Sequence, residues 1–130
     1  PGGASSRFLP GELIDTPLDF DAIAAAGSML GTGAVIIMDE RRDLFELATN
    51  LVRFFRNESC GKCVPCRLGS DHAVDLLESV AARSSGPEVL EELPALGETL
   101  LQTSICGLGQ VALVPILSML EHFPAEVPQA

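Results

Sequence analysis

The sequence predicts a mainly α protein in which residues 41–124 form a four-helix bundle. Apolar residues recur at helical spacing from Asp39 onward, and the breaks between the periodic stretches are short. Only one segment of the whole chain, "AVIIM" at 34–38, has the short β-branched character of a buried strand.

The first 40 residues differ from the rest. "PGGASSRFLPGELIDTPLDF" is rich in Gly, Pro and Ser and has no sustained period, "DFDAIAAAGSML" suits one short helix stopped by Gly31 and Gly33, and the strand candidate follows. A loop, a helix and one strand cannot make a sheet. Residues 1–40 are therefore expected to be the end of an α/β element whose other strands lie elsewhere, in a chain that is a piece of something longer.

Helix one is expected over about 41–56, with Leu44, Leu47, Ala48, Leu51 and Phe55 on one face and Asp39 as N-cap. A loop with three cysteines follows. Helix two is expected over about 67–82 with Ala73, Leu77, Val80 and Ala81 inward, before "SSGP" breaks the chain. Ser85, Pro87 and Glu88 then give a helix-start signature for helix three, about 87–102, with Val89, Leu93, Leu96 and Leu100 on one face and Pro94 as a kink. Helix four, about 108–123, is apolar nearly all round and should be buried on more than one side. Residues 125–130 remain as a tail.

Composition narrows the function. Apolar residues make up 47 % of the chain, as in ordinary globular proteins. A net charge of −10 opposes phosphate binding, so nucleic acid is not an expected partner. No apolar run reaches the roughly 18 residues of a membrane span, so direct membrane insertion is not expected either, and a cytoplasmic location is. In that reducing compartment four clustered cysteines point to metal or redox chemistry rather than structural disulfides. His72 and His122, 50 positions apart, read as surface or interface residues, and Met29, Met38 and Met119 as core filler. "GTG" at 31–33 is too short for a phosphate loop, and no nucleophile stands with a base.

The chemistry collects in "NESCGKCVPCRLG", residues 57–69. Cys60, Cys63 and Cys66 stand at intervals of three, with Gly61 for tight curvature and Pro65 for a fixed φ, and Cys106 follows after 39 intervening residues. Three thiolates in such a loop plus one remote thiolate are the ligand frame of a [4Fe-4S] cluster. Zinc also takes four cysteines, in a helical interaction domain without redox role, but its usual frame is two separated Cys-x2-Cys pairs. Cys106 lies in "TSICGLGQ", where Gly107 and Gly109 leave room for backbone to approach sulfur, and Ser59 and Ser104 suit either a bond to cluster sulfur or ordinary turn chemistry. In an up-down bundle the turn between helices three and four falls at the same end as the loop after helix one, so the four sulfurs can meet.

"ESCGKCVPCRLG" followed by "SICGLGQ…P…LEHF" resembles the C-terminal iron–sulfur region of the NADH-binding flavoprotein family. That family comprises the NADH-oxidising subunit of respiratory complex I and its relatives in NAD-dependent formate dehydrogenases and NAD-linked hydrogenases. "PGGASS" and "LDFDAIAAAGSMLGTGAVIIMDE" look like the end of the family's ubiquitin-like β-grasp domain. The resemblance implies an electron relay in which FMN, reduced by NADH, passes single electrons to a [4Fe-4S] cluster on Cys60, Cys63, Cys66 and Cys106, and from there to partner iron–sulfur subunits. It implies too that FMN and NAD(H) sites lie in an upstream flavin domain, so this chain alone neither binds flavin nor oxidises NADH. Gln110 in "CGLGQ" tilts the likeness toward the formate dehydrogenase and hydrogenase relatives. Six of the eight basic residues fall between 41 and 67, and under this reading Arg53, Arg56, Lys62 and Arg67 would favour the more negative, reduced cluster.

Overall fold

Six α-helices and three short 3-10 segments make up the regular structure; the structure is a computed structural model and describes residues 1–129. Among these there is no strand, so the mainly α expectation holds. The last residue of the expected 125–130 tail lies outside the described residues.

Helix α1, Phe20–Ala25, is capped by Asp19, whose carboxylate accepts from the Ala22 amide at 2.7 Å. It stops at Gly27, at φ +85, four residues before the expected stop, and buries Ile23. The expected buried strand at 34–38 is instead irregular chain, with Ile36 68 % and Ile37 79 % exposed. A strand is held by a partner's ladder of backbone hydrogen bonds. The one such bond available here joins the Gly2 amide to the Ala34 carbonyl at 2.8 Å.

Helix α2, Leu44–Asn57, begins later than expected, and its cap is Asp43 rather than Asp39. Asp43 sits in extended backbone and accepts from the Glu46 amide at 2.8 Å, while Asp39 is held in a turn by the Arg41 guanidinium, which keeps its carboxyl below the usual carboxylate range. The buried face is turned by about one residue from the expected one: Phe45, Ala48, Thr49, Val52 and Phe55 are buried, whereas Leu44, Leu47 and Leu51 are only half-buried. Replacing Asp43 with alanine is expected to cost about 1 kcal/mol, read as a lower urea midpoint at constant slope. An unchanged midpoint would remove Asp43 as the cap.

Helix α3, Val64–Ala81, starts three residues earlier than expected because Pro65 at its first turn needs no backbone donor there. It buries Ala73, Val74, Leu77 and Val80; Ala81 is exposed. Expected helix three is a 3-10 segment, Pro87–Glu92, running into α4, Leu93–Thr103, with the change of helix type just before Pro94. Expected helix four is broken into α5, Gly107–Val111, and α6, Val114–His122. Pro115 cannot donate to the Val111 carbonyl and its ring crowds it, so the helix restarts. The burial expectation survives the break: no residue from 108 to 120 is exposed.

Helix α2 packs on α3 and α6, and α4 on α3, α5 and α6, around a core of Phe45, Val52, Leu77, Leu93, Leu100, Ile116 and Met119. Close approach depends on small residues. A Cβ on Gly97 of α4 would lie 2.7 Å from Leu117 Cδ1 of α6, and one on Gly69 of α3 would strike Leu100 Cδ1. Residues 1–8 lie against this core rather than apart from it. The Phe8 amide donates to Ser118 Oγ at 2.9 Å, Arg7 pairs with Glu121, and Ala4 and Phe8 pack on the core. Among the described residues no helix is long and apolar enough to cross a membrane.

Candidate functional site

The loop from Glu58 to Cys63 turns sharply at Gly61, whose φ of +72 is left-handed and suits glycine. Two side chains hold the turn. Ser59 Oγ accepts from the Gly61 amide at 3.2 Å, and Arg67 Nη1 donates to the Gly61 carbonyl at 2.7 Å. Cys63 is the N-cap of α3, and Cys66 lies in its first turn, not in the loop as the sequence suggested. Cys106 caps α5 from extended backbone.

The two cysteine-bearing segments meet. The nearby backbone amides of Ile105, chiefly, and Cys66 lower the Cys63 thiol below its usual range. A Cβ built on Gly109 would stand 2.9 Å from Cys66 Cβ and 2.5 Å from Ser104 Oγ. On the other side, Ser59 Oγ lies 3.3 Å from Cys66 Sγ. Exposure is graded: Cys66 is buried, Cys63 half-buried, and Cys60 and Cys106 exposed. All four are free thiols. Among the described residues no three Cys, His or carboxylate side chains gather tightly enough to hold one metal ion.

Of the expected basic residues, Arg67 reaches the loop, but Arg53 is committed elsewhere. Its guanidinium bridges Glu78 at 2.8 Å and Glu46 at 3.2 Å, which raises its pKa further. Arg56 donates to Asn57 Oδ1 at 3.2 Å. His72 meets Glu92 in an exposed pair, and half-buried His122 packs edge-on against Phe123. Gly109 packs closely against Ser104 and the Cys66 Cβ, whereas Gly107 faces open space. Ile105 was not singled out in the sequence because its contribution is a backbone amide, to which side-chain identity gives no clue.

Residues 46–130 match the family model described as the NADH-ubiquinone oxidoreductase-F iron-sulfur binding region. The chain belongs to this family. Its cofactor is accordingly an iron–sulfur cluster. Family members similar to it include an NADH-quinone oxidoreductase F subunit of Rhizobium meliloti, 39 % identical over 97 % of this chain and 30 % of the relative. Its counterpart in Streptomyces coelicolor is 39 % identical over 97 % of this chain and 28 % of its own length. Among solved structures, an NAD+-reducing [NiFe]-hydrogenase in the H2-reduced state superposes with a TM-score of 0.84 at 32 % identity, over 96 % of this chain and 21 % of that one. The chain thus spans less than a third of the length of these relatives.

The residues present fit an iron–sulfur group. Ser104 Oγ is buried without a hydrogen-bond partner, and Ser104 and Cys66 both pack closely against Gly109, where a side chain would not fit. Thiols flanked by backbone amides are the donor set such a group takes.

Proposed function

We propose that Cys60, Cys63, Cys66 and Cys106 hold one [4Fe-4S] cluster, and that the chain is the electron-transfer module of an NAD(H)-linked oxidoreductase of the NADH dehydrogenase or NAD-dependent formate dehydrogenase and hydrogenase type. The observation that carries this reading is the meeting of the triplet with the turn before Cys106, through the Ile105 amide at Cys63 and Gly109 against Cys66. When bound, such a cluster accepts and releases one electron at a time. Electrons would enter from FMN in the upstream flavin domain, where NAD(H) also binds, and leave to iron–sulfur centres of companion subunits.

The chain's own residues supply three things to that role. Gly61, Ser59 and Arg67 fix the loop's curvature, the Ile105 and Cys66 amides stabilise thiolate charge, and the burial of Cys66 keeps water from one side. Exposed Cys60 and Cys106 put the opposite side at the surface, where a partner centre can approach. The packing of α2, α3, α4 and the α5–α6 pair supports a four-helix bundle over 41–124 whose fourth member is broken. Exposed Val35, Ile36 and Ile37 support reading residues 1–40 as the β-grasp remnant, with these side chains covered by the rest of that domain.

Electron paramagnetic resonance on the anaerobically reconstituted, dithionite-reduced chain tests this function. An S = ½ signal that titrates reversibly supports the relay; a sample that stays silent at all potentials contradicts it. Arg67→Glu is expected to lower the midpoint potential, because it puts negative charge beside the loop and releases the Gly61 carbonyl. An unchanged titration would show that Arg67 serves only the apoprotein.

A further inference from the structure

We infer that the Ser104 hydroxyl is a hydrogen-bond donor held for the cluster side of Cys66, and that it tunes the reduction potential of the bound group. The inference rests on the cysteine assignment above.

Ser104 is 6 % exposed, and its Oγ has no hydrogen-bond partner. A buried hydroxyl left unpaired is costly, because it has lost water and gained nothing. Its backbone is fully engaged: the amide donates to the Leu100 carbonyl at 3.0 Å and the carbonyl accepts from Gln110 Nε2 at 3.2 Å. These bonds fix the main chain of the residue at the end of α4.

Gly109 shows how near the hydroxyl is to Cys66. A single point, the position of a Cβ on that glycine, lies 2.5 Å from Ser104 Oγ and 2.9 Å from Cys66 Cβ. The hydroxyl is therefore a close neighbour of Cys66, and the two pack so tightly against residue 109 that only glycine fits there. The two serines around Cys66 differ in state. Ser59 Oγ already has the Gly61 amide and the Cys66 sulfur as partners, so it serves the loop in the apoprotein. Ser104 serves nothing there, and its one donor is free for an acceptor that arrives with the group: a thiolate or a bridging sulfide. A donor to sulfur stabilises the extra negative charge of the reduced state and raises the potential.

Two opposed changes test this on the full chain. Ser104→Ala should lower the midpoint potential of the reconstituted protein while raising the melting temperature of the apoprotein, since it removes an unpaired buried hydroxyl. Ser59→Ala should lower the apoprotein's melting temperature, because it deletes a bond the loop uses. Wild-type protein run in parallel separates the two readings. If wild type takes up no iron and sulfide, the cysteine assignment fails; if it does and Ser104→Ala titrates at the wild-type potential, the Ser104 inference alone is overturned. A Ser104→Ala apoprotein that melts lower than wild type would also overturn it, by showing that the hydroxyl had a structural partner.

Discussion

Replacing Cys66 with alanine is expected to lower the iron and sulfide retained per chain by at least about tenfold while leaving the helical fold in place. The reason lies in where Cys66 stands. It is the most buried of the four cysteines, at 4 % exposure, on the first turn of α3. Its helix is anchored by Ala73, Val74 and Leu77 in the core, and its sulfur sits beside Ser59. No water can replace the lost thiolate easily on that side. The apoprotein should lose only about 1–2 kcal/mol, since the change deletes one buried sulfur and leaves Ser59 Oγ with the Gly61 amide as partner. Circular dichroism with iron and sulfide assays on one sample separates loss of the group from loss of the fold. Full retention of iron would show that Cys66 is core filler.

Gly109→Ala is the second large effect, and here substitution by a better helix former should destabilise. Propensity alone would favour alanine by about 1 kcal/mol. Against that, the new Cβ would lie 2.5 Å from Ser104 Oγ, 2.7 Å from Ser104 Cβ and 2.9 Å from Cys66 Cβ. Two of those atoms are fixed to backbone and cannot rotate away. Overpacking of this kind costs about 1–3 kcal/mol, so a net loss is expected, together with poor cluster uptake as α5 is pushed off α3. Gly107→Ala is the control, because nothing lies within 4 Å of its added Cβ. Denaturant melts of the two variants should move in opposite directions; equal shifts would mean that the close approach at Gly109 is not what holds the turn.

Much of the helical architecture could be read from the sequence because its signals are local. Periodicity placed α2, α3 and α4, and an apolar run with no polar face foretold the burial of 108–120. What failed depended on competition between neighbours. Asp39 and Asp43 are both acids before a helix, and the choice went to Asp43 because Arg41 occupies Asp39. Pro115 stands inside an apolar run whose pattern predicts one continuous helix; its missing donor splits that helix into α5 and α6. The strand at 34–38 failed for a different reason, since a strand is stabilised by a neighbour that these residues do not provide.

The site was legible in a similar way. Side-chain identities named four cysteines, a glycine turn and two serines, and the structure brings Cys63, Cys66, Ser59, Ser104 and Gly109 into one place. Backbone contributions were not legible. The Ile105 amide and the Gly61 carbonyl that engages Arg67 belong to the main chain, and no residue type announces them. Arg53 shows the converse: a cation close in sequence to the cysteines is spent on Glu46 and Glu78 along α2 and α3.

The most direct test of the central claim is the content of iron, acid-labile sulfide and zinc per chain, measured together on anaerobically purified wild-type protein. About four irons and four sulfides with negligible zinc is the expected result. One zinc per chain without sulfide would contradict it, and would make the four cysteines the ligands of a structural ion.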